Sequence, residues 1–194
     1  REKVGAAPKL RPLRGSHLFF PHDKLPVTQT ISFLHPIDRR PVFAYPWEGV
    51  TLVGTTDVDH DDDVQSDPSL SLREVEYLMQ AVSHAFKSLN LGINDVQSTL
   101  SGVRAVINTG QANPSKESRE FVLWDEHGLL TVTGGKLTTF RLMAHDALRA
   151  VRKRLPDHPR FNSKERVLDQ IDVRPNDQLE PIAQARLFGR YGAD

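Results

Sequence analysis

The pattern that most limits how this chain can fold is one amphipathic helix between two groups of short strand-like runs. Apolar residues recur at helical spacing from Ser71 to Leu89 and therefore share one face. Ser71 and Glu74 form a capping-box pattern that predicts the start of the helix, and Asn90 and Gly92 stand where its C-cap is expected. The predicted apolar face consists of Leu72, Val75, Leu78, Met79, Val82, Phe86 and Leu89. This face must be buried, most simply against a sheet formed by the preceding strands.

The runs around this helix have the composition of β-strands. Two of them, PVFAYPW and VTLVGTT, are separated by Glu-Gly, which predicts an antiparallel hairpin. Before this hairpin stand SHLFFP and VTQTISFL, and after the helix stand DVQSTLSGVRAV, EFVLWD and GLLTVT. The order of these elements predicts an α+β fold, with a mostly antiparallel sheet and helices packed on one face.

The period changes from strand to helix at Gly134 and Gly135, where GLLTVT gives way to KLTTFRLMAHDALRAV. Two glycines at such a junction allow the backbone to approach a ligand closely, and a helix N-terminus presents N–H groups to an anion. Lys136 adds a positive charge. A tight connection that needs glycine only for packing explains the same residues. The stretch is not a Walker motif, which needs Gly and Ser/Thr where Leu130 and Leu137 stand, and the chain has no G-x-G-x-x-G fingerprint.

The charge balance excludes one class of function and leaves another open. The 194 residues carry 25 basic and 25 acidic side chains, so a general electrostatic grip on nucleic acid is not expected, whereas a local cationic pocket is possible. The absence of cysteine excludes disulfides, zinc–thiolate sites and a cysteine nucleophile. The sequence contains no apolar run of the ~18 residues that a membrane span needs.

Three cations, Arg104, Arg119 and Lys136, stand at strand ends and loops. Arginine matches phosphate or carboxylate oxygens with a planar fork of donors, although a single surface arginine is commonly a solvated ion pair. Arg104 is the stronger candidate because it ends an apolar strand just after Gly102, where it should leave the sheet at a rim. His17, at the start of a strand, is a candidate acid or base, but a lone histidine is more often structural.

The acidic stretch DVDHDDDVQSDP raises the question of a metal site. An EF-hand loop needs Gly at its sixth position and Glu at its twelfth, and counting from Asp57 these positions hold Asp62 and Pro68. The stretch is therefore interpreted as a solvated acidic loop, and no metal site is predicted.

Several of these motifs together resemble one family. RGSHLFFP, the FAYPWEG to TLVGTTDVD hairpin, LSLREVEYLMQAVSHAF, TLSGVRAV and TVTGGKLTTFRLMAHDAL occur in this order. In series they resemble FAD-dependent glycerol-3-phosphate dehydrogenase, from about Arg14 to Leu155. Further on, ARLFGRYG is similar to the opening helix of that family's C-terminal helical domain.

The resemblance implies a domain arrangement. Residues 1–14 would be an entering linker, 15–128 the substrate-binding domain, 129–155 a strand–Gly-Gly–helix segment that returns to the FAD domain, and 156–194 a linker and the start of the helical domain. The N-terminal FAD-binding portion would be missing, so the chain is expected to be part of a longer flavoenzyme and inactive alone.

The resemblance also implies roles for particular residues. Arg104 and Arg119 would bind the substrate phosphate, Lys136 would lie close to both substrate and flavin, and His17 would be the base for the substrate hydroxyl. Four residues would contact the flavin, with the helix N-terminus stabilising negative charge on the reduced ring: Gly134, Gly135, Leu137 and Thr138.

The implied reaction is oxidation of sn-glycerol 3-phosphate to dihydroxyacetone phosphate by hydride transfer to FAD, with quinone as the electron acceptor. The enzyme would be cytoplasmic, with peripheral association on the inner face of the membrane, and no nucleic acid would be a partner. Two alternatives remain open. One is a related flavin oxidase of an amine or hydroxy acid, and the other is a non-catalytic anion-binding module.

Overall fold

The computed structural model describes residues 4–155, 162, 164–168 and 178–192. It divides into two compact units, Arg1–Arg154 and Leu155–Asp194. The first unit carries two antiparallel sheets and two α-helices, so the predicted α+β class is confirmed. Its strands are β1 Leu10–Pro21, β2 Ile31–Leu34, β3 Pro41–Trp47, β4 Val50–Gly54, β5 Val58–Asp59, β6 Ser98–Ile107, β7 Phe121–Glu126 and β8 Leu129–Gly134, and its helices are α1 Leu72–Ala85 and α2 Phe140–Val151.

The long strand β1 organises the larger sheet. It pairs with β6 along one edge and with β4 and β5 along the other, and β3 and β2 continue the sheet beyond β4. Residues 10–14, predicted to belong to an entering linker, lie inside this strand. Leu13 there is fully buried. Pro12 suggested a linker but costs the sheet only one donor, and its carbonyl still accepts the His60 N–H at 3.1 Å.

Helix α1 covers one face of this sheet. The capping box is confirmed, because the Ser71 side chain accepts the Glu74 N–H and the Glu74 side chain accepts the Ser71 N–H. The predicted helix to Leu89 ends as an α-helix at Ala85, and a 3-10 turn follows over Lys87–Leu89. The core joins both elements and includes Leu18, Phe20, Val42, Ala44 and Val53 of the sheet and Leu78, Ala81 and Val82 of the helix.

Two hairpins are closed by two-residue turns with the same backbone conformation. The predicted β3–β4 hairpin is confirmed, with Glu48 at φ 51° and Gly49 at φ 86°. His127 and Gly128 connect β7 and β8 with φ of 50° and 86°. Positive φ at both central positions is typical of type I′ turns, whose twist matches that of the paired strands.

The second sheet leads into α2 through the two glycines. Both Gly134 and Gly135 have φ of 78°, a conformation that favours glycine. A 3-10 turn over Leu137–Thr139 follows before α2 begins at Phe140. The predicted helix is therefore present, but it starts later than the glycines suggested. None of the residues of α2 is buried within the structure.

In the second unit, the described residues form one α-helix, α3 Pro181–Tyr191. This helix confirms the helical pattern in IAQARLFGRYG. Most of the predicted linker between Pro156 and Pro181 lies outside the described residues. In the described part of the chain, no helix has the length and apolar character needed to cross a membrane.

Candidate functional site

Two of the three predicted cations meet at one buried carboxylate, Asp57. Nη1 of Arg104 lies 3.4 Å from Oδ1 of Asp57, and Nη2 of Arg119 donates to Oδ2 at 2.8 Å. A third guanidinium, that of Arg40, comes within 3.7 Å of Oδ2. Only 2% of the Asp57 side chain is exposed, compared with 31% for Arg104 and 41% for Arg119. The carboxylate therefore lies inside the protein, while both guanidinium groups reach the surface.

The prediction that Arg104 ends its strand and leaves the sheet at a rim is wrong, because Arg104 lies inside β6 and is placed by the pairing of β6 with β1. Leu13 and Arg104 are register partners, as are Gly15 and Gly102. The guanidinium of Arg104 lies over Gly15, where a Cβ atom would collide with it. Its Nη2 also donates to Oγ1 of Thr55 at 3.1 Å. Burial and the nearby charge of Arg119 lower the pKa of Arg104, but an arginine remains protonated at neutral pH.

Arg119 is placed by the loop between β6 and β7, which is organised around Glu117. The Glu117 carboxylate is fully buried and pairs with Nη1 of Arg11 at 3.0 Å. It also accepts hydrogen bonds from the hydroxyl and N–H of Thr109 and from the N–H of Gln111. Hydrogen bonds, led by that from the Thr109 hydroxyl, lower the pKa of Glu117 to about 2. A charged carboxylate thus fixes the loop that carries Arg119.

All three predicted cations line one cleft of about 630 Å³. Arg104 and Arg119 lie along it with Lys136, whose side chain is exposed. Gly134 and Gly135 also line this cleft. Leu137 is 89% exposed and Thr138 is exposed as well. The cleft therefore brings together the three cations that are far apart in the sequence.

The Gly-Gly-Lys junction differs from the predicted helix N-terminus. A Cβ on Gly135 would lie 2.6 Å from Sδ of Met143, and one on Gly134 would meet the Glu120 carbonyl. The N–H of Lys136 donates to Oγ1 of Thr139 at 3.0 Å. Positive φ and close packing are therefore sufficient to explain both glycines without a bound ligand. The N–H of Lys136 already has a hydrogen-bond acceptor in Thr139 of the 3-10 turn.

His17 lies inside β1 and not at the start of a strand as predicted, because β1 begins at Leu10. Its side chain is on the face of the sheet opposite α1. Its imidazole occupies the space above Gly54, its register partner on β4, and its ring meets Tyr45 edge-on with centroids 6.4 Å apart. Burial, together with the positive charge of Arg104, lowers the pKa of His17 from 6.5. The imidazole is therefore neutral at pH 7 and can accept a proton. Unlike the three cations, His17 does not line the cleft.

Only the second half of the acidic stretch after β4 is the solvated loop that the sequence predicted, since residues 61–67 are exposed. Asp57 and His60 are buried, and Asp59 pairs with Arg11 at 2.5 Å. The reason is β5, which pairs with β1 and draws the first half of the stretch into the sheet. Within the described ranges, no group of three or more His, Asp or Glu side chains is placed to hold a metal ion.

Glu74 connects helix α1 to the segment that carries Asp57. Its Oε1 accepts hydrogen bonds from Oγ1 of Thr56 at 2.7 Å and from Oγ of Ser16 at 2.8 Å, and its Oε2 pairs with Arg14 at 2.8 Å. Burial opposes ionisation of Glu74, but hydrogen bonds from Ser71, Arg14 and Thr56 outweigh it and lower the pKa to about 2. The capping residue is therefore also an internal anion that fixes β1 and Thr56.

Sequence reasoning missed Asp57 and Arg40 as members of this group. Asp57 ends the GTTD segment (residues 54–57), which begins at the last residue of β4, so it has the strand-end position that the sequence predicted for Arg104. The local sequence instead places Asp57 in the predicted acidic loop, because four more aspartates follow within six residues. Arg40 stands next to Arg39 in a polar turn, and nothing in its local sequence distinguishes the two.

Comparisons with known proteins place these motifs in context. The chain is 39% identical over 148 residues to the aerobic glycerol-3-phosphate dehydrogenase of Staphylococcus aureus, a match over 76% of this chain and 26% of that protein. The structure is similar to the crystal structure of the glycerol-3-phosphate dehydrogenase from Bacillus halodurans complexed with FAD. That similarity has a TM-score of 0.63 and 32% identity, over 75% of this chain and 27% of the other.

These similarities confirm the resemblance predicted from the motifs. The chain spans about a quarter of the length of the curated relatives that it matches. A glycine oxidase from Bacillus cereus is more distant, with a TM-score of 0.46 and 16% identity, and supports no conclusion. No protein-family model matches the chain.

Proposed function

We propose that this chain supplies the substrate-phosphate site of a flavoenzyme that oxidises sn-glycerol 3-phosphate to dihydroxyacetone phosphate. One observation carries the proposal: Arg104, Arg119 and Lys136, separated by up to 32 positions in the sequence, line a single cleft. The similarity to glycerol-3-phosphate dehydrogenases supports sn-glycerol 3-phosphate as the phosphate ester that such a cleft would bind.

The cleft suits a phosphate monoester for reasons of charge and geometry. A phosphate monoester carries close to two negative charges at pH 7 and offers three acceptor oxygens. Two guanidinium groups can each donate to it through a planar fork, and the ammonium of Lys136 can add a third charge-assisted hydrogen bond. Both guanidinium groups are partly exposed, so an anion can reach them without a rearrangement of the sheet.

His17 is the proposed base for the substrate hydroxyl. Its lowered pKa keeps the imidazole neutral at pH 7, which is the form that accepts a proton from C2–OH. As that proton leaves, Lys136 would stabilise the negative charge that develops on the substrate oxygen. His17 lies outside the cleft, so a substrate with its phosphate on Arg104 must extend along the face of β1 toward it.

FAD is the proposed cofactor, and bound FAD would supply the acceptor for the hydride from C2. The residues at the strand–helix junction fit contact with a flat ring, because Gly134 and Gly135 line the cleft without side chains and Leu137 exposes 89% of its surface. We assign Gly134, Gly135, Leu137 and Thr138 to this contact.

The domain assignments follow the same resemblance. Residues 15–128 would form the substrate domain, and residues 129–155 would return to an FAD domain. The exposed apolar residues of α2, Phe140 at 47% and Leu148 at 50%, support this assignment because they offer a surface for further packing. Quinone as the electron acceptor and peripheral membrane association complete the proposal and rest on the resemblance alone.

A direct binding measurement tests the phosphate site. The chain is titrated with sn-glycerol 3-phosphate by calorimetry and by NMR of its arginine Nε–Hε groups. Arg104→Ala and Arg119→Ala should each weaken binding by about tenfold or more, as expected for a charge-assisted hydrogen bond. Arg149→Ala is the matched control, since Arg149 is 70% exposed and pairs with Asp146 on its own helix.

The same titration separates the alternatives. Lactate and glycine, as carboxylate ligands, should bind more weakly than the phosphate ester. A preference for either carboxylate would favour a hydroxy-acid or amine oxidase instead. If Arg104→Ala and Arg119→Ala bind sn-glycerol 3-phosphate as tightly as the control Arg149→Ala does, neither Arg104 nor Arg119 belongs to the phosphate site.

A chimeric enzyme tests the reaction. Residues 10–155 would replace the matching segment of the Staphylococcus aureus dehydrogenase, with glycerol 3-phosphate-dependent dye reduction as the assay. A folded, FAD-containing chimera that lacks this activity would contradict the proposed reaction, whereas the binding data would still stand.

A further inference from the structure

Asp57 stands in an unusual position for an anion site, since it places a negative charge beside the cations that would bind phosphate. We propose that Asp57 is a positioning residue, whose carboxylate holds the Arg104 and Arg119 guanidinium groups in place for the substrate phosphate. This inference rests on the proposed function and extends it to a residue that contacts the two arginines and acts through them.

The carboxylate is divided between the two arginines. Arg104 approaches Oδ1 at 3.4 Å, while Arg119 donates to Oδ2 at 2.8 Å. Each guanidinium has five N–H donors, and one contact to a carboxylate oxygen uses only a small part of them. Both arginines can therefore keep their contact with Asp57 and still donate to an anion in the cleft.

Asp57 is itself held rigidly. Its neighbour Thr56 donates an N–H to the Ser16 carbonyl at 3.3 Å and a hydroxyl hydrogen bond to Glu74 at 2.7 Å, and it accepts the Ser16 N–H at 3.0 Å. On its other side, β5 pairs with β1. With its side chain only 2% exposed, Asp57 is a buried point of contact for two longer side chains that are 31% and 41% exposed.

The charges of the group also suit a dianion. Arg104, Arg119 and Lys136 line the cleft, and Asp57 contacts the first two, so these four side chains carry a net formal charge of +2. Without Asp57, the guanidinium groups of Arg104, Arg119 and Arg40, which also lies within 3.7 Å of Asp57, would repel one another at close range. The partly exposed arginines would then turn toward water, and a ligand would have to order them again on binding.

Two effects oppose each other when Asp57 is neutralised. Coulomb attraction alone predicts tighter anion binding, because one negative charge is lost. Loss of positioning predicts weaker binding, because the arginines are no longer held in a binding geometry. The cleft is open to solvent, where screening reduces the Coulomb gain, so we expect the loss of positioning to dominate.

The test compares Asp57→Asn with Asp63→Asn in titrations with inorganic phosphate and with sn-glycerol 3-phosphate. Asp63→Asn is the matched control: it removes the same charge six residues away, where the exposed carboxylate accepts the N–H of Gln65 at 3.0 Å. Asp57→Asn should weaken binding of both ligands about tenfold, while Asp63→Asn should change it less than about twofold. Equal or tighter binding by Asp57→Asn overturns the inference.

Side-chain NMR measures the order of the Arg104 and Arg119 side chains directly, and a general loss of stability would not change that order. In the unliganded wild-type chain, ¹⁵N relaxation at Nε of Arg104 and Arg119 should report ordered side chains, and in Asp57→Asn both should become mobile while the backbone relaxation stays unchanged. If Asp57→Asn fails to fold, Asp57→Ser carries the same expectation. Mobile arginines in the wild-type chain overturn the inference without any variant.

Failure of this inference is distinguishable from failure of the proposed function. If Arg104→Ala weakens binding and Asp57→Asn does not, Asp57 has no positioning role and the phosphate site stands. If neither variant changes the affinity for phosphate, the phosphate site is wrong, and the positioning role is overturned with it.

Discussion

The guanidinium of Arg104 lies directly over Gly15, in space that any larger residue would occupy. Two strands meet here, since Gly15 on β1 pairs with Gly102 on β6 while the arginine stands two residues further along β6. Glycine at position 15 is therefore a requirement of the site and not of the backbone, because neither a turn nor a positive φ occurs there.

Replacing Gly15 with alanine should displace Arg104 but leave the fold intact. The three atoms nearest to the new Cβ all belong to the flexible end of the Arg104 side chain, so the free energy of unfolding should change by less than about 1 kcal/mol. Affinity for phosphate should fall to the level of Arg104→Ala. Denaturant unfolding and calorimetric titration measure the two quantities.

Gly102→Ala is the control for that experiment. A Cβ at Gly102 would meet no atom within 4 Å, so both stability and phosphate affinity should stay close to wild type. Retention of full affinity by Gly15→Ala would show that the position of Arg104 over Gly15 is not needed for binding.

The titration of His17 should respond to Arg104. Burial is the larger cause of the lowered His17 pKa and the charge of Arg104 the smaller one. NMR titration of the imidazole should therefore give a midpoint below 6.5 in the wild-type chain. Arg104→Met should raise the midpoint, although burial should keep it below 6.5.

The sign of the stability effect follows from the same shift. The folded state binds the His17 proton less readily than the unfolded state, so this group's contribution to stability is complete above pH 6.5 and decreases as pH falls through the lowered pKa. Arg149→Met serves as the control and should leave the midpoint unchanged. If the midpoint of the His17 titration is the same in Arg104→Met as in wild type, the charge of Arg104 does not affect the pKa of His17.

Acid should destabilise the fold through Glu74. Its pKa is lowered from 4.5 to about 2, so the stability it contributes is complete above pH 4.5 and is lost as pH falls toward 2. The shift corresponds to at most about 3 kcal/mol. Urea unfolding at pH 7 and at pH 3 should show Glu74→Gln to be less stable than wild type, by a margin that is smaller at pH 3.

Glu76→Gln provides the comparison for Glu74→Gln, since Glu76 lies on the same helix but is exposed. This variant should match wild type at both pH values. An equal stability difference at pH 7 and pH 3 for Glu74→Gln would mean that its effect is steric and not due to its charge.

Local sequence patterns were sufficient for most elements of the fold. The capping box of α1 and the Glu-Gly turn depend on residues at most four positions apart, and both are confirmed. The end of α1 and the start of α2 were predicted less well. At both places 3-10 turns intervene, and periodicity does not distinguish them from a regular helix.

By itself, the sequence determined most of the strands but not β5, and it determined the main helix and the strand–Gly-Gly–helix junction. It also indicated the cations Arg104, Arg119 and Lys136 as candidates. Only the tertiary structure decided that these cations share a cleft, that Asp57 joins two of them, and that Gly15 and Gly54 make room for Arg104 and His17. The physical reason is that hydrogen-bonding patterns of turns and caps act between near neighbours. Strand pairing instead brings residue 15 beside residue 102 and residue 17 beside residue 54, and no local pattern specifies those distances.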